Sequence, residues 1–116
     1  MAIASSNASD WVRGHLERLG LSQGWAAIEC ADGDSSVAKP RPHLYEAVME
    51  ELGIVGAEAI ALEDSPNGIA AAKAAGMFCV AVPNPVTVNL RLFAADVVLP
   101  SLEIMPLSDL IEYAQR

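Results

Sequence analysis

Ala59-Ile60-Ala61-Leu62-Glu63-Asp64-Ser65-Pro66-Asn67-Gly68-Ile69-Ala70-Ala71-Ala72-Lys73-Ala74-Ala75-Gly76-Met77-Phe78-Cys79-Val80-Ala81-Val82 is the stretch on which the fold turns. Ala59–Leu62 is a short apolar run that stops at two acids. Ser65, Pro66 and Gly68 then break the chain, and small residues from Ile69 to Ala75 read as a helix ended by Gly76. Phe78–Val82 is a second apolar run, halted by Pro83, and the clearest strand of the chain. A strand, a helix of small residues and a second strand make a βαβ unit, which requires a parallel sheet.

The same alternation continues outward. Ala2–Ala4 is an apolar run ending in Ser5-Ser6-Asn7, and Ser9 is placed to cap a helix from Asp10 to Leu19 with Gly20 as its stop. The stripe of that helix is Trp11, Val12, Leu16 and Leu19, the spacing of a buried face. Trp25–Cys30 is a further run, followed by a polar loop. Pro40 and Pro42 bracket the start of a helix carrying Leu44, Val48 and Leu52, with Gly53 as its end. Val97–Leu99 is a short fifth strand and Leu107–Ala114 a last helix. Residues 1–116 therefore read as one α/β domain with a parallel sheet and helices on both faces.

Composition agrees with that reading. The 116 residues are one domain's worth of chain, 53% hydrophobic and 19% charged, too apolar for a disordered segment. Seven basic against fifteen acidic residues give a net charge of −8, which argues against nucleic acid as a partner and suits a pocket for a divalent cation. No apolar run approaches a membrane span, so no membrane partner is expected. Cys30 and Cys79 stand alone in apolar surroundings. That spacing suits neither a disulfide framework nor a zinc site, and the expected location is the reducing cytoplasm.

In parallel α/β sheets, ligands bind at the carboxyl ends of the strands. Three polar clusters follow strands there or nearby. Ser5-Ser6-Asn7 suits either a capped helix start or a phosphate loop offering hydroxyls and free N–H groups. Lys39, one of only two lysines, sits in a proline-stiffened loop, where it is either solvated or turned inward to neutralise a phosphate or steady a carboxylate. Glu63-Asp64 places two carboxylates at a strand end, an oxygen set that suits Mg²⁺. The alternative there is a Pro-Asn-Gly turn with exposed acids. His15 and His43 read as structural or cap residues, and the rings of Trp11 and Trp25 as core. Asp32-Gly33-Asp34 lacks the ligand spacing of a calcium loop.

Taken together, the segments resemble the haloacid dehalogenase superfamily, in its β-phosphoglucomutase-like branch of sugar-phosphate phosphatases. Ile3-Ala4-Ser5-Ser6-Asn7 is similar to the family's second motif, a strand ending in the hydroxyl that binds the transferring phosphoryl group. Lys39-Pro40-Arg41-Pro42-His43-Leu44-Tyr45 resembles the third, Lys-Pro-x-Pro-Asp-x-Tyr, with His43 in place of the usual Asp. Leu62 to Met77 resembles the fourth, Glu-Asp-Ser-x-x-Gly-Ile-x-Ala-Ala-x-x-Ala-Gly-Met. The resemblance implies a Rossmann-like three-layer core, a small phosphorylated metabolite as substrate and Mg²⁺ as cofactor. Ser5 and Lys39 would then be catalytic, phosphate would bind at Ser5, Ser6, Asn7 and Lys39, and metal at Glu63 and Asp64.

The family's first motif, Asp-x-Asp-Gly, carries the aspartate nucleophile, and no such run occurs in these 116 residues. In the family that strand lies between the second-motif and fourth-motif strands, so the domain is expected to be a partial core with an empty slot. Three outcomes are expected of such a chain: instability, closure of the gap by repacking, or self-association or complementation by a chain that supplies a strand. Three functions remain open. One is the C-terminal part of a phosphatase, another a β-phosphoglucomutase-type phosphotransferase. The third is a non-catalytic short product that binds phosphate or a partner.

Overall fold

The computed structural model describes residues 1–116. In chain order the elements are β1 (Ala2–Ser5), α1 (Ser9–Arg18), β2 (Ala27–Cys30), α2 (His43–Leu52), β3 (Ile60–Glu63), α3 (Pro66–Ala74), β4 (Phe78–Ala81), β5 (Val97–Val98) and α4 (Leu107–Ala114). Every strand pairing is parallel. β1 lies beside β2 with Ala2 opposite Ala27 and Ser5 opposite Cys30. β3 pairs with β4 from Ile60–Phe78 to Glu63–Ala81, and β4 with β5 at Val80–Val97 and Ala81–Val98.

The order of these strands follows from β4. Cys79, Val80 and Ala81 are completely buried, so this strand has helices on both faces. Side chains alternate along a strand. Cys79 and Ala81 face the larger core with Ile69, Ala71 and Ala72 of α3 and Tyr45 and Met49 of α2. Val80 points the other way, onto Leu99 and Leu110. Leu110 is the one buried residue of α4. Burying such a leucine contributes about 1.5–3 kcal/mol, so this single side chain carries much of the helix's attachment. The small residues of α3 let it lie close on the sheet. Gly56 meets the end of that helix so tightly that a Cβ there would stand 2.6 Å from the Ala75 carbonyl oxygen.

The sheet is in two pieces, β1–β2 and β3–β4–β5. Between them lies an open cavity of about 640 Å³, lined mainly by apolar side chains. Ala2, Ile3 and Ala4 of β1 border one side and Ile60, Ala61 and Leu62 of β3 the other, with Trp25, Val48 and Met49 contributing to the lining. The two edges do not close on one another, so the repacking considered from the sequence has not taken place.

Three local expectations are corrected. Helix α1 begins at Ser9 with Ala8 as its cap, because the Ser9 side chain is engaged elsewhere. Its apolar stripe is not a buried face: Val12 alone is buried, whereas Trp11 is 56% and Leu19 60% exposed. Trp11 packs instead against the His15 ring, centroids 4.1 Å apart and planes tilted by 60°. Trp25 is half-buried at the cavity wall and donates its indole N–H to the Leu21 carbonyl at 2.6 Å. Neither tryptophan belongs to the core clusters.

Candidate active site

The polar clusters meet where the sheet's carboxyl ends come together. β1 ends in Ser5, whose Oγ accepts the Asn7 N–H at 3.1 Å and keeps its own hydrogen to donate. Ser6 Oγ accepts the Lys39 backbone N–H at 3.0 Å, which ties the loop after β1 to the loop before α2. Ser6 and Asn7 are exposed, Ser5 half-buried.

Asp32 shapes the same corner. It holds the left-handed conformation (φ 51°), uncommon for a side chain other than glycine. From there it accepts the Ser9 N–H at 2.5 Å and the Ser9 hydroxyl at 2.7 Å. These bonds hold its carboxyl below the usual carboxylate range. The first-turn donor of α1 is thereby spent on a carboxylate of this chain, leaving the Ser5–Asn7 loop as the polar surface beside it.

Lys39 turns inward. Its Nζ lies 2.5 Å from Glu63 Oε1 and 4.9 Å from the centroid of the Tyr45 ring. The Tyr45 hydroxyl donates to that same Oε1. The Lys39 and Glu63 side chains are only 14% and 6% exposed, so this is a buried charge pair, and removing either partner would strand the other. The remaining oxygen, Oε2, lies against Gly68 in the first turn of α3. That turn is capped by Ser65, whose Oγ accepts the Gly68 N–H at 3.3 Å.

Asp64 faces the other way. It is exposed, and its Oδ2 accepts from the Asn84 side-chain amide at 3.0 Å. The two adjacent acids therefore have different surroundings: Glu63 is saturated by a lysine and a phenol, Asp64 open to solvent. No group of three His, Cys, Asp or Glu side chains is assembled into a metal-binding cluster. Mg²⁺ needs only one or two protein carboxylates when water and phosphate complete its shell. Asp64 fits that requirement directly, and Glu63, with Oε1 engaged, fits as a partner behind it.

Three contributors were not singled out from the sequence. Tyr45 stood inside the quoted Lys39–Tyr45 motif, but no spacing says that its hydroxyl reaches a strand end eighteen residues on. Asp32 carries no signal in the sequence beyond an Asp-Gly-Asp run without calcium-loop spacing. Asn84 offered one signal, a polar side chain directly after β4 and Pro83. His43 is exposed in the first turn of α2, as expected of a cap-region residue.

Comparison with known proteins agrees with this arrangement. The family of haloacid dehalogenase-like hydrolases matches over residues 1–82. YhcW of Bacillus subtilis (strain 168) is 43% identical over 113 residues, 97% of this chain and 51% of that protein. Hexitol phosphatase B of Escherichia coli (strain K12) is 41% identical over 112 residues, 96% of this chain and 50% of that protein. Among solved structures, CbbY from Rhodobacter sphaeroides in complex with phosphate superposes with a TM-score of 0.79 at 31% identity, covering 86% of this chain and 45% of that one. The chain thus spans about half the length of the curated relatives it matches. With three motifs in order, their residues gathered at one end of a parallel α/β sheet, and a family match over most of its length, this chain belongs to the haloacid dehalogenase-like hydrolases.

Proposed function

We propose that these residues are the C-terminal part of a Mg²⁺-dependent phosphatase for a small phosphorylated metabolite, a sugar phosphate being the first class to test. The observation that carries the reading is the Lys39–Glu63 pair, 2.5 Å apart, beside a loop whose Ser5 and Ser6 hydroxyls each accept a backbone N–H and keep their hydrogens to donate. Ser5 donates its hydroxyl hydrogen to a phosphoryl oxygen, with Ser6 and Asn7 lining the same loop. Lys39 sets its positive charge against the phosphoryl group, while Glu63 and the Tyr45 ring keep the ammonium aimed. Asp64 would hold the divalent cation with Glu63 behind it, and the cation would supply further positive charge beside the phosphoryl oxygens. Phosphoryl transfer needs mainly such positioning and charge neutralisation. The aspartate that would form the aspartyl-phosphate lies outside these 116 residues. A β-phosphoglucomutase-type transfer would use the same groups.

The open gap between β1 and β3 favours a second reading for the chain by itself. Two unpaired strand edges facing an apolar cavity suit a strand from another polypeptide, including a second copy. In that reading the chain binds phosphate or a partner without turning substrate over.

One experiment separates the two. The purified chain is incubated with p-nitrophenyl phosphate and Mg²⁺, alone and with a separately made segment carrying an Asp-x-Asp-Gly strand. The phosphatase reading expects no release from the chain alone, release with the segment, and loss of that release in Asp64→Asn and Lys39→Ala. A complex that forms but never hydrolyses would leave only the binding reading. Robust hydrolysis by the chain alone, lost in Asp64→Asn, would show that the nucleophile is internal after all.

A further inference from the structure

We propose that Asn84 is a positioning residue for Asp64: it fixes one carboxylate oxygen so that the other is presented to a divalent cation. This rests on the reading of Asp64 as the cation's ligand. The argument begins with how firmly Asn84 is itself held. Its Oδ1 accepts the Val86 N–H at 2.8 Å and the Thr87 N–H at 3.0 Å. With two backbone donors on the oxygen, the amide cannot be flipped, and its NH₂ must face away from the turn. That NH₂ donates to Asp64 Oδ2 at 3.0 Å.

The turn is closed from the backbone side as well. Asn84 N–H donates to Thr87 Oγ1 at 3.0 Å, and the Asn84 carbonyl accepts from Thr87 at 3.1 Å and Val88 at 2.9 Å. Thr87 is buried, so the turn is anchored in the fold. β3 and β4 are neighbours with Glu63 opposite Ala81, which brings the residues following both strands to the same end of the sheet.

Asp64 needs such an anchor because it is exposed. A free aspartate samples several rotamers, whereas Mg²⁺ demands near-ideal octahedral geometry. Glu63 cannot supply the order, since its Oε1 is taken by Lys39 and Tyr45. Partners of this kind, which touch the ligand and not the metal, typically change metal affinity by about 10–100-fold.

The test is calorimetric titration of the 116-residue chain, in the presence of inorganic phosphate, with Mn²⁺ and with Mg²⁺, which needs no turnover. Asp64→Asn, Asn84→Ala and Asn84→Ser are compared with the parent. Serine retains a hydroxyl acceptor for the turn N–H groups but is too short to reach Asp64. The amide NMR signals of Val86 and Thr87 report whether the turn persists. The expected result is loss of binding in Asp64→Asn and a weakening of about tenfold or more in both Asn84 variants. Unchanged affinity in both Asn84 variants, with binding lost in Asp64→Asn, would overturn the positioning role and leave the metal reading standing. Binding that ignores Asp64→Asn, or no binding by any form, would overturn the metal reading and the positioning role with it.

Discussion

The backbone of Gly68 lies directly against the Glu63 carboxylate: a Cβ built on the glycine would stand 1.7 Å from Oε2 and 2.2 Å from the carboxyl carbon. The glycine of α3's first turn is thus required by a side chain five residues earlier, not by backbone conformation.

Gly68→Ala is therefore expected to push the Glu63 carboxylate off Lys39 and Tyr45 and to cost about 1–3 kcal/mol. In a Glu63→Ala background the obstacle is gone, and the same substitution should stabilise by up to about 1 kcal/mol, the ordinary gain of alanine over glycine in a helix. Chemical denaturation of the four proteins of this cycle measures the change of sign. Equal costs in both backgrounds would mean that Glu63 is not what the glycine accommodates.

Tyr45→Phe removes one of the two donors to Glu63 Oε1 and leaves Lys39 in place. A hydrogen bond to a charged group is worth about 1.5–3 kcal/mol, so a stability loss in that range is expected. Burial, and then the Glu63 charge, raise the Tyr45 phenol well above its ordinary value of 10.0. For a raised group, stability is level below the unfolded-state value and falls as pH rises beyond it. Ultraviolet titration of a Tyr113→Phe chain, where Tyr45 is the remaining phenol, should show phenolate only as the chain unfolds. Ionisation near pH 10 in the folded chain would contradict the burial.

How far the sequence disclosed this site depends on what each residue's role requires. The unit from Ala59 to Val82 was legible because Pro66, Gly76 and Pro83 punctuate it by backbone chemistry alone, independent of any partner. Helix α2 was legible for the same reason, since Gly53 ends it in the left-handed conformation that glycine favours. The stripe of α1 misled because periodicity says which residues share a face, not whether another element covers that face. Ser5, Glu63 and Asp64 could be placed at strand ends from spacing, and Lys39 in the proline-stiffened loop before α2. That Glu63 would turn inward to Lys39 and Tyr45, and Asp64 outward to Asn84, depends on α2 and the loop after β4 arriving at β3, and no local pattern encodes that meeting.

The two cysteines should differ sharply in reactivity. Burial raises the Cys79 thiol, the Glu63 and Asp96 charges add to it, and the result is pushed up to about 11. The thiolate is the reactive form, so Cys79 should resist alkylation at pH 8. Cys30 is only half-buried. An aromatic disulfide reagent should titrate one thiol in the native chain and two in guanidinium, with the fast site lost in Cys30→Ser. Rapid labelling of Cys79 in the native chain would show that β4 opens readily.

Glu29 on β2 and Glu51 on α2 form a like-charge pair. The hydrogen bond with Glu51 raises the Glu29 carboxyl first, with burial and repulsion from the Glu51 charge adding to it. A carboxyl raised by folding contributes stability that is complete below its unfolded value and is lost as pH rises through the raised one. The raised Glu29 carboxyl therefore works against the fold as pH rises through its folded value. Glu51→Gln removes the repulsion and can still donate to Glu29, so it should stabilise the chain at pH 7 by a modest amount, no more than about 1 kcal/mol for so exposed a pair. Below pH 4, where Glu29 is protonated in both states, the gain should vanish. Thermal melts of parent and variant across this range measure the difference, and a gain that persisted at acid pH would place its origin in packing or helix propensity instead of charge.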